Sequence, residues 1–143
     1  SARDIGWMRA WTARRMMRAA PPSASATLAV QEFRSQFPLG STSRVLLIDE
    51  AGRYAGMVPT AVAFTPTLAS KSSVGDLAIL KTAFLSPDDG IGEIMRRFEE
   101  SEADDLAVVS SSGAVLGILT EKYVQRRYAD EADRALREIY GEG

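Results

Sequence analysis

The chain has 143 residues, 45% of them hydrophobic, which is the composition of a folded domain rather than of a disordered segment. It contains no cysteine and no histidine, so zinc fingers, iron–sulfur sites, disulfide frameworks and histidine-dependent catalytic triads are excluded. A formal net charge of −2 also disfavours nucleic acid as a partner, because cation–phosphate contacts supply most of its non-specific affinity.

The N-terminal segment, residues 1–18, is basic and amphipathic. Its charged residues are Arg3, Asp4, Arg9, Arg14, Arg15 and Arg18, and its apolar residues include Trp7, Met8, Trp11, Met16 and Met17. Two interpretations stay open: the arginines form a solvated helix face, or they lie against the cytoplasmic surface of a membrane, where basic residues are enriched. No apolar run in the chain reaches the roughly 18 to 20 residues that span a bilayer.

The remainder of the chain is duplicated at a shift of 61 residues, without a gap. Glutamate, phenylalanine and two glycines recur in register, as Glu32 and Glu93, Phe37 and Phe98, Gly52 and Gly113, and Gly56 and Gly117. Self-similarity at a fixed shift indicates a repeated structural unit. We delimit repeat 1 as residues 13–64, a connector containing Pro66 as residues 65–73, and repeat 2 as residues 74–124.

Each repeat predicts a helix followed by a hairpin. In repeat 1, Val30, Phe33 and Phe37 have helical spacing after Ser25 or Thr27. Residues 45–48 and 54–58 are predicted strands, and Gly52 closes the turn between them.

In repeat 2, residues 91–98 carry the helical stripe, and Pro87 with Asp88 or Asp89 as N-cap marks its start. Strands are predicted over 106–109 and 115–119, and the first strand of each hairpin is apolar enough to be buried on both faces. Gly56 and Gly117 lie inside strands, where a glycine serves either close packing or space for a ligand.

The C-terminal region, residues 121–141, predicts a long helix that ends near Gly141. Apolar residues follow one face, and oppositely charged residues four apart follow the other. Since the helices of the two repeats leave apolar surface uncovered, we expect a homodimer.

A helix, a glycine-containing hairpin and a Gly-apolar-apolar-Thr sequence, all duplicated, resemble the CBS domain pair. The signature is Gly-Ile-Leu-Thr-Glu-Lys-Tyr at residues 117–123 and Gly-Met-Val-Pro-Thr-Ala-Val at residues 56–62. The resemblance implies an α/β (α+β) fold with two stacked repeats of β-α-β-β-α type, related by pseudo-two-fold symmetry. The basic N-terminal segment and the long C-terminal helix are additions to it.

A narrower resemblance concerns residues 37–44 and 119–128, which look like the cytoplasmic C-terminal region of bacterial ClC-type chloride channels and transporters. It implies a non-catalytic regulatory and dimerisation domain on the cytoplasmic side of the cell membrane. A transmembrane ion-transport domain would belong to the same chain. The alternative from another class is a soluble module that senses adenine nucleotides and regulates a partner enzyme.

CBS pairs resembling this chain often bind an adenine nucleotide in the cleft between repeats, through a Thr and an Asp of the pattern Gly-apolar-apolar-Thr-x-x-Asp. Here the Thr position holds Pro59 and Thr120, and the Asp position holds Val62 and Tyr123. Since carboxylate-to-hydroxyl bonds contribute about 1.5 to 3 kcal/mol each, we expect weak nucleotide binding or none, and no cofactor.

Four hydroxyl residues are the candidate ligand-binding residues: Thr120, Ser41, Thr42 and Ser43. Each also has a structural interpretation, since Thr120 suits a helix N-cap and the other three suit a turn. The tyrosine at position 123 would then fill the ribose space as part of the core. An enzyme is the third hypothesis, in which the acidic pairs Asp88/Asp89 and Asp104/Asp105 bind a metal, but caps and solvated loops explain these pairs better.

Overall fold

A computed structural model describes residues 10–69 and 72–141, so Arg3, Asp4, Trp7, Met8 and Arg9 of the predicted basic segment lie outside the described residues. The elements in chain order are α1 Ala13–Met16, β1 Ser23–Ser25, α2 Val30–Gln36, β2 Arg44–Ile48, β3 Tyr54–Pro59, two 3-10 helices at Thr60–Phe64 and Val74–Leu77, α3 Ile91–Ser101, β4 Asp105–Val109, β5 Val115–Thr120 and α4 Glu121–Ile139. The predicted mixed α and β fold is confirmed.

The two hairpins are built alike, residue for residue. β2 pairs antiparallel with β3, with Leu47 opposite Gly56 and an irregularity directly after Leu47. β4 pairs antiparallel with β5, with Val108 opposite Gly117 and an irregularity directly after Val108. β1 adds a parallel strand to the first hairpin, and the isolated bridge from Leu85 to Val108 is its counterpart in the second. The shift of 61 residues found in the sequence therefore holds in three dimensions.

The segment that opens each repeat packs on the other repeat. Residues 12–18, including α1, pair with Gly90 and with Ile118 of repeat 2. Residues 73–79, including the second 3-10 helix, pair with Ala29 and with Met57 of repeat 1. We call these two stretches the leading segments. Their reciprocal exchange ties the repeats together through backbone hydrogen bonds on both sides.

Gly56 and Gly117 make this exchange possible. A Cβ at Gly117 would lie 2.6 Å from the carbonyl oxygen of Arg18, and one at Gly56 would lie 2.8 Å from the carbonyl oxygen of Ile79. Distances below 3 Å to a backbone atom cannot be relieved by a side-chain rotation. Both glycines are thus packing glycines, and the space that each leaves is filled by a leading segment rather than by a ligand.

Three apolar clusters form the core. One lies under the helices of repeat 1 around Phe33 and Val58, and one under α3 and α4 of repeat 2 around Phe98 and Leu119. The third joins the two sheets through the side chains of Leu46, Met57, Ala107, Val109 and Ile118. β2 and β4 are accordingly covered on both faces, as their apolar sequences predict.

The helix starts differ from the prediction. The N-cap of α3 is Gly90, not Asp88 or Asp89, because the Asp89 carboxylate instead accepts a hydrogen bond from the backbone N–H of Ser86 at 2.8 Å. The N-cap of α2 is Ala29, because Ser25 and Thr27 bond to each other in the preceding turn. Neither helix therefore has a side-chain cap.

The two repeats end differently. α4 continues for 19 residues after Thr120, whereas the matching part of repeat 1 is a 3-10 helix of 5 residues. Pro66 explains the short element, since a proline disfavours helical conformation at the residue before it, and Thr65 is extended with ψ 124°. At the other end, Gly141 has φ +71°, the left-handed conformation typical of a helix terminator, which confirms the predicted stop.

Candidate functional site

Two of the four predicted ligand residues, Ser43 and Thr120, line cavities, and the two cavities are separate. A cleft cavity of about 500 Å³ at the repeat interface is lined by Ser43, Arg44, Pro59, Asp104 and Asp105 among others. A second cavity of about 360 Å³ is lined by Arg18, Thr120, Lys122, Tyr123, Arg126, Arg127 and Asp130. We call the second one the cationic pocket, because four of its seven residues are basic and one is acidic.

Thr120 is held by its own helix. Its Oγ1 accepts a hydrogen bond from the backbone N–H of Tyr123 at 3.2 Å and so caps the N-terminus of α4. The prediction that Thr120 is a helix N-cap is therefore confirmed. Thr120 still lines the cationic pocket, and a hydroxyl that accepts one hydrogen bond can donate its own proton to a further partner.

The other three hydroxyls do not join Thr120. Ser41 donates to the carbonyl oxygen of Pro38 at 2.6 Å, and Thr42 donates to that of Arg44 at 3.0 Å, so both stabilise their own loop. Ser43 alone lines the cleft cavity. The structure does not bring the four predicted residues into one site.

Arginines and aromatic rings alternate beside the cationic pocket. The guanidinium carbons of Arg15 and Arg127 lie 4.2 and 4.5 Å from the ring centre of Trp11, on α1's side of the protein. Those of Arg127 and Arg18 lie 5.7 and 5.1 Å from the ring centre of Tyr123. The order Arg15, Trp11, Arg127, Tyr123, Arg18 forms what we call the cation–π ladder. It joins the leading segment of repeat 1 to the first turns of α4.

Tyr123 is consequently not a core residue, contrary to the expectation. Its ring is half-buried between Arg18 and Arg127, and its hydroxyl accepts a hydrogen bond from Nη2 of Arg127 at 3.3 Å. That bond is the first cause of a raised pKa of Arg127; burial opposes it, and the charges of Glu131 and Asp130 add to it. Arg127 therefore remains fully charged in the wall of the pocket.

Pseudo-symmetry supplies an internal comparison for this site. The positions in repeat 1 that match Lys122, Tyr123, Arg126 and Arg127 are occupied by Ala61, Val62, Thr65 and Pro66, and Ile79 matches Arg18. Val62 and Ile79 are exposed to 40% and 49%. The same architectural position is thus cationic at one end of the pair and uncharged at the other.

The cleft cavity is acidic on its repeat 2 side. Asp105 is buried and forms a 2.7 Å ion pair with Arg44, its counterpart under the 61-residue shift, so the pair crosses the pseudo-two-fold axis. Burial raises the pKa of Asp105, while the Arg44 guanidinium lowers it in part. The neighbouring carboxylate of Asp104 is exposed.

Neither acidic pair forms a metal centre. Asp89 and Asp105 bond to Ser86 and Arg44 respectively, and no group of three or more acidic side chains suited to a metal exists within residues 10–69 and 72–141. The hypothesis of a metal-dependent enzyme has no site among these pairs.

The cationic pocket was not predicted from the sequence as a unit. Part of it carries a local signal, because Tyr123, Arg126 and Arg127 lie three and four residues apart on one helix. Arg18 and Trp11 reach it only through the exchange of leading segments, for which the sequence gives no local signal.

The family model of the CBS domain matches residues 74–130. No curated protein is significantly similar to the chain. Solved structures extend the assignment of the fold from repeat 2 to both repeats. A CBS domain pair/ACT domain protein from Thermotoga maritima has a TM-score of 0.67 at 18% identity, over 84% of this chain and 98% of that one.

Two further structures come from ion transporters. The CBS pair of a putative Mg²⁺ transporter from Shewanella oneidensis has a TM-score of 0.59 at 19% identity, over 88% of this chain and 70% of that one. The CBS domain of a bacterial CNNM/CorC family Mg²⁺ transporter, solved in complex with ATP, has a TM-score of 0.67 at 13% identity, over 86% and 90%. The chain therefore has the fold of a CBS domain pair, and the match of the CBS family model covers its second repeat.

Proposed function

We propose that this chain is the non-catalytic regulatory and dimerisation domain of a chloride channel or transporter. It would lie on the cytoplasmic side of the cell membrane and belong to the same chain as a transmembrane domain. Among the described residues no helix is long and apolar enough to cross a bilayer, so the transport pathway itself would be elsewhere in the protein.

The observation that carries the regulatory role is the reciprocal exchange of leading segments. Arg18 exchanges two backbone hydrogen bonds with Ile118, at 2.9 and 3.0 Å, and Ile79 exchanges two with Met57, at 2.8 and 2.9 Å. Any shift of one repeat therefore displaces the leading segment of the other. A displacement of residues 12–18 is transmitted through these hydrogen bonds to β5 and so to α4. This arrangement is suitable for coupling to an attached domain.

The support for chloride, as opposed to another ion, is the likeness of residues 37–44 and 119–128 to ClC tails. Two of the solved structures of this fold belong to Mg²⁺ transporters, one of them putative, so Mg²⁺ is the alternative ion that the experiment must test. The test is ion flux in proteoliposomes that contain the full-length protein. We expect chloride flux, altered by Gly117→Ala, which disturbs the exchange. Magnesium flux would overturn the ion assignment, and a flux unaffected by the substitution would overturn the regulatory one.

A second candidate, adenine-nucleotide sensing, is favoured by the cationic pocket. Four basic side chains line the same pocket as Thr120, so the pocket can attract phosphate groups. The carboxylates that would recognise ribose are replaced by Val62 and Tyr123. A pocket that attracts phosphate groups but does not recognise the ribose should bind nucleotides weakly. Its affinity should depend on the number of phosphates in the nucleotide more than on the identity of the base.

Calorimetry with ATP, ADP, AMP and GTP separates the two candidates. For the regulatory domain without a ligand we expect dissociation constants above about 100 μM, equivalent to roughly −5.5 kcal/mol, with little difference between ATP and GTP. Tighter, adenine-specific binding that Thr120→Ala abolishes would place nucleotide sensing first. Tyr123→Asp is the matched gain-of-function variant, since it restores the missing carboxylate.

A further inference from the structure

The cation–π ladder and the cationic pocket form one continuous basic surface. It contains Arg15, Arg18, Lys122, Arg126 and Arg127, and we call it the basic face. Arg15, Arg18, Lys122 and Arg126 are exposed, and Arg127 is partly so. The acidic side chains that face this group are Asp130, in the wall of the pocket, and Glu131, whose Oε1 is 3.5 Å from Nη1 of Arg127.

The charge on this surface is segregated from the rest of the protein. Within residues 10–69 and 72–141, nine basic residues lie outside the basic face, against 15 acidic residues other than Asp130 and Glu131. The pseudo-symmetric positions at the other end of the pair carry Ile79, Ala61, Thr65 and Pro66 in place of Arg18, Lys122, Arg126 and Arg127. A charge dipole of this kind orients a protein toward an anionic partner.

We propose that the basic face docks on an anionic lipid surface. This inference rests on the proposed function, because a domain attached to a transmembrane segment is within reach of the lipid headgroups. The half-buried rings of Trp11 and Tyr123 lie among the guanidinium groups, and tryptophan and tyrosine next to basic residues are the residues enriched at membrane interfaces.

The shape of the surface favours a membrane over a soluble anion. Arg15 and Arg127 both lie against the ring of Trp11, and Arg15 is not among the residues that line the cationic pocket, so the cations do not all converge on one point. Each cation near an anionic membrane strengthens binding by about five-fold, and the contribution declines within a Debye length. Five cations on one face are sufficient for measurable, salt-sensitive association.

The test is co-sedimentation of the 143-residue chain with vesicles of phosphatidylcholine, with and without phosphatidylglycerol. We expect binding only to the anionic vesicles, and a decline as salt rises above about 0.15 M. The double variant Lys122→Gln/Arg126→Gln should lower the partition coefficient about 25-fold. The matched control is Lys81→Gln/Arg53→Gln, which removes the same number of charges from exposed positions after the second 3-10 helix and in the first hairpin. It should change the partition coefficient less than about two-fold.

Three outcomes would overturn the inference: equal binding to neutral vesicles, equal losses in the two double variants, or single-stranded RNA binding as tightly as the anionic vesicles. Circular dichroism of each variant guards against unfolding as the cause of a loss. If the chain does not bind anionic vesicles, the flux experiment still tests the proposed function, because chloride flux that responds to Gly117→Ala does not require lipid contact. Conversely, vesicle binding without any chloride flux would overturn the proposed function alone.

Discussion

Replacing Gly117 with alanine tests the exchange of leading segments most directly. The new methyl group would lie 2.6 Å from the carbonyl oxygen of Arg18 and 2.9 Å from Sδ of Met17. Met17 can rotate away, but the Arg18 carbonyl is backbone and is fixed by its hydrogen bond from Ile118 at 3.0 Å. Gly117 is not in the left-handed region, so the alanine introduces no backbone strain of its own.

The cost follows from what must move. Separating residues 17 and 18 from β5 weakens two backbone hydrogen bonds worth about 0.5 to 1.5 kcal/mol each. Overpacking of the surrounding core adds about 1 to 3 kcal/mol where relief is incomplete. If the leading segment moves away, the clash is relieved but the hydrogen bonds are lost; if it stays, the hydrogen bonds remain but the clash persists. In either case we expect a loss of about 2 to 3 kcal/mol in the free energy of unfolding.

Urea denaturation followed by tryptophan fluorescence measures this loss. Gly52→Ala is the matched control, since a Cβ there has open space around it and φ of +77° is the only penalty, about 1 kcal/mol. A loss below about 0.5 kcal/mol for Gly117→Ala would show that the leading segment is not held against β5 as described. The same variant should displace Arg18 from Tyr123 and so weaken binding to anionic vesicles.

Three further predictions concern the helix cap, the buried ion pair and the oligomeric state. Thr120→Ala should lower the free energy of unfolding by about 1 kcal/mol in urea titrations, and Thr120→Ser should restore it, because the hydroxyl caps α4. Since burial raises the pKa of Asp105 above 3.8, the folded protein binds that proton more tightly than the unfolded chain. The contribution of Asp105 to stability should therefore decline as pH rises through the pKa of this group in the folded protein, in urea titrations over a pH series. Asp105→Asn should lack that decline, and an equal slope in the variant would refute the prediction. Sedimentation at tens of micromolar should show a homodimer. The double variant Leu136→Asp/Ile139→Asp, at the exposed apolar end of α4, should weaken it. A monomer of the unaltered protein at this concentration would contradict the expected homodimer.

The hairpins were predictable because their determinants are local. Residues 45–48 are a short apolar run, and Gly52 and Gly113 supply φ of +77° and +90° at the turns. The ends of these strands differ from the expectation by one residue. β1 was harder to predict from its own sequence, since Ser23–Ser25 becomes a strand only through pairing with β2.

The helix caps and the site show where local reasoning fails. Asp89 has the right residue type for an N-cap, but its carboxylate bonds to Ser86 because the chain turns before Gly90. Tyr123 has the size and apolarity of a core residue, yet its ring lies against Arg127, one turn along the same helix, and against Arg18 from the leading segment of repeat 1. The contacts of Asp89 and Arg127 are local but compete with other local choices, whereas the contact with Arg18 depends on the tertiary exchange and lies outside any short window of sequence.

The exchange of leading segments also determines what a single repeat would be on its own. One repeat has a groove beside its last strand and an extended segment that fits the groove of its neighbour, so it would assemble as a segment-swapped dimer. The present chain is equivalent to such a dimer with a covalent tether over residues 65–73. The tether raises the effective concentration of one half for the other, and its last residues already contact repeat 1, since the carbonyl oxygen of Ser72 accepts a hydrogen bond from the backbone N–H of Val30 at 2.8 Å. A chain cut within residues 66–69, or circularly permuted there, should retain the backbone hydrogen bonds of the exchange.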